Sequence, residues 1–172
     1  LCSELGVGGI TPSMGLIKLV KKELNIPVHV LIRPRGGHFT YSDTEFEVMK
    51  ADILACKELG VDGIVSGILM DDFSVDVERT QALVDLTESL HFTFHRAFDW
   101  VADPLEAIKQ LEAMGVQTIL TSGGKTSAEQ GINHLDAWQE QTSLTMMAGG
   151  GISTKNASKF KDIGLRAIHC SG

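Results

Sequence analysis

Short apolar runs alternate along this chain with longer segments in which apolar residues recur every three or four positions. A short run bounded by glycine, proline or polar residues predicts a buried β-strand, and the longer spacing predicts one apolar face of an α-helix. Strands are predicted over residues 28–32, 62–69, 92–95, 118–121, 144–148 and 166–170. Helices are predicted between them, including one over about 127–141 and one that begins at Ser153. The chain is therefore predicted to be a succession of βα units.

Two of the predicted helices begin at recognisable caps. Ser42 and Glu45 have the spacing of a capping box. Asp103 followed by Pro104 suits an N-cap and the first helical position. Three predicted helices end at a glycine, at Gly60, Gly115 and Gly164. The same order of helix, glycine and short strand recurs along the chain, so one supersecondary unit is predicted to repeat.

Repeated right-handed βα units form either an open doubly wound sheet or a closed barrel. The barrel is favoured because polar residues follow most of the strands, whereas an open sheet concentrates its ligands at one switch point. Residues 1–3 are interpreted as the end of one more strand before residue 28. We therefore predict an α/β fold of one domain over residues 1–172, a TIM-type (β/α) barrel with about seven of its eight units. The first strand and helix are expected to be absent, which leaves a gap or an exposed edge.

The composition restricts the partners of this fold. The chain has 172 residues, a formal charge of −7 and no block of lysine and arginine, which argues against nucleic acid and anionic membrane. No apolar run reaches the roughly 20 residues that span a bilayer. The three cysteines are widely spaced and predict no disulfide framework, so a cytoplasmic location is expected. A homo-oligomer is left open.

Several motifs resemble those of one known family. The strings LCSELGVGGITPS, IRPRGGHF, FHRAFD, TSGG, GGGI and HCS occur in this order over essentially the whole chain. In this order and spacing they resemble the CutC copper-homeostasis family. The resemblance implies a TIM-type barrel, a cytoplasmic role in copper homeostasis and cysteines that bind Cu(I). It also implies that residues 1–3 end the second barrel strand.

Cys2 and Cys170 are the predicted copper ligands. Thiolates select Cu(I), and two of them suffice for a linear site if the sulfur atoms can meet. Alternation along the last strand places Ile168 towards the helices and turns His169 inward, which leaves Cys170 less well placed. The alternative is that both cysteines are small buried hydrophobic residues. Cys56 lies on the apolar face of a predicted helix and is interpreted as a packing residue.

A second set of polar residues follows the predicted strands and is a candidate for acid–base chemistry. Its members are Arg33, His95, Arg96, Asp99 and His169. Alternation turns Arg33, His95 and His169 towards the barrel interior. Because an arginine fork suits a carboxylate or phosphate and histidine transfers protons near neutral pH, a catalytic role is predicted for the set. The alternatives are a polar plug of the barrel core, or pairing of Arg96 with Asp99 across the turn.

A third set is predicted to bind a ligand through backbone N–H groups. The predicted residues are Ser122, Gly149, Gly150, Gly151 and Ser153. Glycines let the backbone approach an anion, and a helix that begins at Ser153 would add the attraction of its dipole. TIM barrels often bind phosphate after strands seven and eight, and by the family count this loop follows strand seven. Glycines also serve tight turns, which is the alternative.

Two functions follow from these groups. One is a cytoplasmic copper-binding protein in copper homeostasis, implied by the resemblance and by the cysteines. The other is an enzyme that acts on a small anionic or phosphorylated metabolite at the carboxyl-terminal mouth of the barrel. The fold alone does not choose between them, because barrels host unrelated functions.

Overall fold

The computed structural model describes residues 1–170 and contains six parallel strands that curl into part of a barrel. The strands, in chain order, are β1 (His29–Leu31), β2 (Gly63–Ser66), β3 (His91–Phe94), β4 (Thr118–Thr121), β5 (Thr145–Gly149) and β6 (Ala167–His169). The helices are α1 (Met14–Glu23), α2 (Asp43–Glu58), α3 (Val77–Thr87), α4 (Pro104–Ala113), α5 (Ile132–Gln139) and α6 (Ala157–Asp162). Two 3-10 helices span Leu5–Val7 and Arg96–Trp100. Among residues 1–170, none of the helices combines the length with the apolar composition that a membrane span requires.

Each strand pairs in parallel with its neighbour in sequence, in the order β1 to β6. Leu1 lies beside β1, where its amino group donates to the carbonyl of His29 and its carbonyl accepts from the amide of Leu31. That alternation is the hydrogen-bond pattern of a parallel strand. At the other side, within residues 1–170, β6 pairs with β5 alone. The predicted incomplete TIM-type barrel with an open edge is confirmed.

The predicted helix caps are confirmed. The Ser42 hydroxyl accepts from the amide of Glu45, and the Glu45 carboxylate accepts from the amide of Ser42. The carboxylate of Asp103 accepts from the amide of Glu106, and Pro104 is the first helical residue. These caps satisfy N–H groups that have no partner inside the helix, so α2 and α4 begin where the sequence predicts.

Two predicted helices were too long. The helix predicted over about 127–141 is α5 and begins at Ile132, after a turn over residues 128–131. Gly131 packs against the backbone of Ser122 and Gly123, and a Cβ atom there would lie 2.0 Å from the Ser122 carbonyl oxygen, so only glycine fits at this position. The helix predicted to begin at Ser153 is α6 and begins at Ala157.

One predicted strand was also too long. The strand predicted over residues 62–69 is β2, which ends at Ser66. Beyond it Leu69 forms an isolated antiparallel bridge with Val75, so the chain turns back on itself at the rim of the barrel. The core lies between the sheet and the helices, and its largest buried side chains include Phe92, Phe94 and Phe160. The opposite, concave face of the sheet is left to form a cavity.

Candidate functional site

One cavity of about 1550 Å³ occupies the concave side of the sheet and opens at the carboxyl ends of the strands. Six of the twelve candidate site residues line it. The predicted site residues that line it are Cys2, Arg33, His95, Arg96, Gly150 and His169. They reach the cavity from different strands because every strand runs in the same direction and ends at the same rim.

The wall below these groups is mostly apolar. Leu31, Val65, Leu120 and Met147 project into the cavity from β1, β2, β4 and β5. At the rim, Phe73 and Trp100 are 52% and 64% exposed. The cavity therefore combines a polar mouth with walls that suit an apolar molecule.

Arg33 donates hydrogen bonds to two loops, one over residues 7–9 and one at residue 37. Its Nη1 donates to the carbonyls of Val7 (2.8 Å) and Gly9 (2.9 Å), and its Nη2 donates to the carbonyl of Gly37 (2.8 Å). The residue is only 5% exposed, and its guanidinium lies over the ring of Phe39. The sequence predicts an arginine fork that receives an anion, whereas the structure commits most of this fork to backbone carbonyls.

His95 is a buried, uncharged hydrogen-bond donor. Its Nδ1 accepts from the amide of Ala97 (3.2 Å), which places the proton on Nε2. Burial, with the charge of Arg33 as a second cause, lowers the pKa of His95 to about 3. Nε2 is buried and has no hydrogen-bond partner among the described residues. Near neutral pH this imidazole therefore offers an N–H group rather than a base.

The ring of His95 is held by close contacts on both sides. It lies 4.9 Å from the ring of Phe39, and a Cβ atom at Gly67 would come within 2.8 Å of its Nδ1. We expect Gly67→Ala to lower the free energy of unfolding by about 2 kcal/mol, because the enclosed ring cannot move aside. Urea denaturation measures this change.

The control for that measurement is Gly15→Ala. Gly15 lies in α1, where an added Cβ would meet only the Ser13 hydroxyl at 3.9 Å. This variant should be neutral or slightly stabilising. A Gly67→Ala protein as stable as the Gly15→Ala protein would show that His95 is not confined.

Asp99 joins the ends of β3 and β4. Its Oδ1 accepts from the hydroxyl of Thr121 (2.5 Å) and from the amides of Ser122 (2.8 Å) and Gly124 (3.2 Å). Its Oδ2 accepts from Arg96 Nε (2.8 Å) and lies 3.0 Å from the Ser122 hydroxyl. Only 7% of this side chain is exposed. With its oxygen atoms so fully engaged, Asp99 is suited to holding its neighbours rather than to accepting a proton from a substrate.

Arg96 is held at two of its three nitrogen atoms. Nε donates to Asp99, and Nη2 donates to the Ser122 hydroxyl at 3.0 Å. The guanidinium lies against Gly150, where a Cβ atom would come within 3.4 Å of Arg96 Cζ and Nη1. Pairing of Arg96 with Asp99, which the sequence leaves as an alternative, is present together with exposure of Arg96 to the cavity.

The glycine loop does not lead into a long helix. Ser153 precedes a turn, and α6 has six residues. The side chain of Asn156 accepts from the Ser153 amide at 2.8 Å, so this N–H group is already used. Ser153 and Gly151 are exposed, while Gly150 lines the cavity. The prediction that a helix begins at Ser153 is wrong, because α6 begins at Ala157, and the Asn156 side chain accepts the hydrogen bond that an anion would accept. Ligand binding by Ser153 stays a prediction.

The two predicted copper ligands occupy different surroundings. Cys2 is half-buried and lines the cavity, whereas Cys170 is exposed at the end of β6 and lies outside the lining. Within the described part of the chain, no three His, Cys, Asp or Glu side chains cluster closely enough to hold a metal ion. Cys56 is buried in the core as a packing residue, and burial, together with Asp52, raises the pKa of its thiol to about 11.

His169 lies beside Gly149 in the register of β5 and β6 and therefore faces the cavity. Burial lowers its pKa, and the positive charge of Arg96 acts in the same direction. His29 and His91, which the sequence leaves as surface or packing residues, face each other with ring centroids 5.0 Å apart. They meet over Gly63, which lies between them in the sheet and has no side chain to separate them.

Phe39 is the contact that sequence reasoning missed most clearly. Its ring packs against both Arg33 and His95, although it lies in a loop where no periodicity marks it as buried. A large apolar residue inside a polar, glycine-rich loop was the available signal. Residues 121–124 were predicted as possible further donors to an anion, whereas in the structure Thr121 and Gly124 donate to Asp99.

Comparison with known proteins supplies the family. The family model described as the CutC family matches residues 1–172. The human copper homeostasis protein cutC homolog is 45% identical over 99% of this chain. The match covers 64% of the human protein, so the chain spans about two thirds of that relative's length.

Solved structures agree with the fold. A crystal structure of CutC from Streptococcus agalactiae superposes with a TM-score of 0.94 and 37% identity, over 98% of this chain and 85% of that one. A protein described as an aldolase, QR15, superposes with a TM-score of 0.70 over 90% of this chain and 73% of its own, at 14% identity. The second likeness concerns the fold alone.

Proposed function

The chain belongs to the CutC family, and from this premise we propose that its full-length protein is a cytoplasmic protein of copper homeostasis that binds Cu(I) through Cys2. The name of the human relative supports the role in copper homeostasis. The three free cysteines support a reducing compartment. The single observation that carries the copper site is the position of Cys2 on the wall of the large cavity.

The cavity that Cys2 lines also contains two thioethers. Met70 and Met147 line the same cavity, and thioethers, like thiolates, are preferred ligands of Cu(I). Cys2 is partly accessible, so a metal ion in the cavity can reach its sulfur atom. Cys170 stays a predicted second ligand, which would have to reach the cavity from the exposed end of β6.

Cu(I) titration of the full-length protein under anaerobic conditions tests this site. Cys2→Ser is expected to weaken Cu(I) binding by at least roughly tenfold, because serine replaces a soft sulfur with a hard oxygen. Competition with a Cu(I) chelator measures the affinity.

The matched control is Cys56→Ala, which removes a buried thiol that does not line the cavity. It should leave the affinity unchanged. Equal affinities in the wild type and in Cys2→Ser would remove Cys2 from the copper site.

A second candidate function is an enzyme that acts on a small anionic or phosphorylated metabolite. The observation that favours it is a set of N–H groups near the mouth that have no hydrogen-bond partner among residues 1–170: Arg96 Nη1 and the buried Arg33 Nε and His95 Nε2. A neutral imidazole N–H can stabilise a developing negative charge on oxygen, so His95 would act as a hydrogen-bond donor. Thermal-shift screening of the full-length protein against phosphorylated and carboxylated metabolites tests this function, because a bound ligand raises the melting temperature.

A further inference from the structure

Arg96 differs from Arg33 and Arg35, the other arginines around the mouth, because its Nη1 has no hydrogen-bond partner among residues 1–170. Arg33 gives three hydrogen bonds to backbone carbonyls, and Arg35 is bound to Glu45 and to the carbonyls of its own loop. Arg96 uses Nε and Nη2, while its Nη1 makes no hydrogen bond to any of residues 1–170. Its side chain is 45% exposed and lines the cavity. Two N–H groups of a fixed cation are therefore available to a solute.

The guanidinium is fixed in orientation before any ligand arrives. Asp99 and Ser122 hold one edge of the group, and Gly150 supports its face without a side chain in the way. Asp99 is itself anchored by Thr121 and by the amides of Ser122 and Gly124. A pre-oriented donor loses little conformational entropy on binding, which is how such a residue recognises an anion strongly.

The charges around the cavity favour an anionic head group. The charged lining residues are two arginines and one aspartate, Arg33, Arg96 and Asp71, which leaves one net positive charge on the lining (two minus one). The whole chain carries −7, so this positive balance is local. Asp99 pairs with Arg96 through Oδ2 and offsets part of its charge, while Oδ1 accepts from the Thr121 hydroxyl and from the amides of Ser122 and Gly124.

The walls of the cavity indicate the chemical character of the rest of the ligand, apart from its anionic group. Leu31, Val65, Leu120 and Met147 form apolar walls, and Phe73 and Trp100 form an exposed aromatic rim. A highly charged sugar phosphate would leave its hydroxyl groups without partners on such walls. An apolar body that carries a single anionic head would satisfy both parts of the cavity.

We propose that Arg96 is the anion anchor of this cavity and that the ligand is a small apolar molecule with one carboxylate or phosphate group. This inference rests on the second proposed function and assigns its ligand class and its anchor. The acidic group binds Arg96 Nη1 above Gly150, and the apolar body lies between the strand side chains and the aromatic rim. Asp99 and Ser122 act as positioning residues for the guanidinium.

A pair of probe molecules with the same apolar body tests the proposal in the wild-type protein. Phenyl phosphate and phenol differ in the anionic group, and Trp100 on the lining provides a fluorescence signal. Phenyl phosphate should bind roughly tenfold to a hundredfold more tightly than phenol, the range expected for charge-assisted hydrogen bonds. Trp100→Phe should remove the fluorescence change on binding, because the other tryptophan of the chain, Trp138, is only 9% exposed.

Arg96→Met and Arg166→Met then separate the anchor from general charge. Arg166 is exposed and lies outside the cavity lining of the described residues, so both variants lose one positive charge but only Arg96→Met loses the anchor. Arg96→Met should abolish the preference for phenyl phosphate, and Arg166→Met should retain it. Circular dichroism shows whether each variant is folded.

The outcomes distinguish this proposal from the function on which it rests. If phenyl phosphate binds equally well to wild type and Arg96→Met, the cavity binds anions but Arg96 is not the anchor, and the proposal is overturned. If neither probe changes the Trp100 fluorescence of the wild type, the ligand class is wrong. The second function itself fails only when the metabolite screen also finds no anionic ligand. If Arg96→Met does not fold, equal binding of phenyl phosphate and phenol by the wild type still overturns the proposal.

Discussion

Replacement of Asp99 by alanine is expected to lower the free energy of unfolding by about 4 kcal/mol, among the largest effects of any single substitution near the mouth. The substitution would remove the acceptor for Thr121, for two backbone amides and for Arg96. The carboxylate is 7% exposed, so these donors would be left in a site where water replaces the lost bonds poorly. Denaturation in urea, followed by circular dichroism, measures the change.

Two further variants serve as comparisons for Asp99→Ala. Asp85→Ala removes an exposed carboxylate that accepts one hydrogen bond from Gln81 in α3, and it should change stability by less than about 0.5 kcal/mol. Asp99→Asn keeps the shape but turns an N–H donor towards other donors, so its cost should lie between the two. An Asp99→Ala protein as stable as Asp85→Ala would mean that Asp99 does not hold the ends of β3 and β4 together.

Acidification from about pH 7 to about pH 5 is expected to lower the free energy of unfolding by about 2 kcal/mol through His95 alone. The unfolded chain binds a proton on this residue near pH 6.5, whereas the folded protein binds it only near pH 3. Between these values the unfolded state carries a proton that the native state lacks. The contribution of His95 to the free energy of unfolding is therefore fully present above pH 6.5 and is lost progressively as the pH falls towards 3.

Other groups add to this dependence in separate ranges. Burial is the first cause of a lowered pKa at His29, His91 and His169, so each adds a loss of the same sign below pH 6.5. At Glu45, hydrogen bonds from Arg35 and Ser42 lower the pKa to about 2, so that carboxylate matters only below about pH 4.5. Two groups that are not histidines also bear on the interval between pH 7 and pH 5, because burial lowers the pKa of the Leu1 amino group and raises the pKa of Asp52. A substitution at His95 is therefore needed to separate its contribution.

His95→Asn isolates the contribution of one residue. Its amide oxygen can still accept from the Ala97 amide, but the side chain no longer titrates. The variant should be less stable at pH 7, because a smaller side chain leaves space beside Phe39, and it should lose about 2 kcal/mol less on acidification. His38→Asn, at an exposed histidine, is the matched control substitution. A His95→Asn protein with the wild-type pH dependence would contradict the buried, neutral state of His95.

The sequence predicts the position of the cavity mouth better than it predicts the role of each residue there. Parallel strands with polar ends predict that Arg33, His95 and His169 face one opening, and the structure places all three on one cavity. Alternation within a strand is a local property, so it can be read from adjacent residues. What each group does there depends on partners that lie far away in sequence. Arg33 is bound by carbonyls of residues 26 and 24 positions earlier, and nothing in their side chains indicates this.

The glycine loop shows the same limit. The sequence indicates close backbone approach at Gly150, and the structure shows Arg96 and Ser122 against it. The sequence also predicts an anion at the Ser153 amide, but the Asn156 side chain occupies that amide. A side chain can replace a ligand without changing the motif, because both offer the same acceptor oxygen to the same N–H group.

By itself the sequence determined the order of strands and helices, the caps at Ser42 and Asp103, and the end of the barrel at which chemistry is possible. These features depend on spacings of two to four residues, which any reader of the chain can measure. Only the tertiary structure decided that Arg33 donates to backbone carbonyls and that Asp99 joins two strand ends. It also decided that Arg96 Nη1 has no hydrogen-bond partner among residues 1–170. Those assignments depend on hydrogen bonds between residues that are distant in sequence, and such residues become neighbours only when the chain is folded.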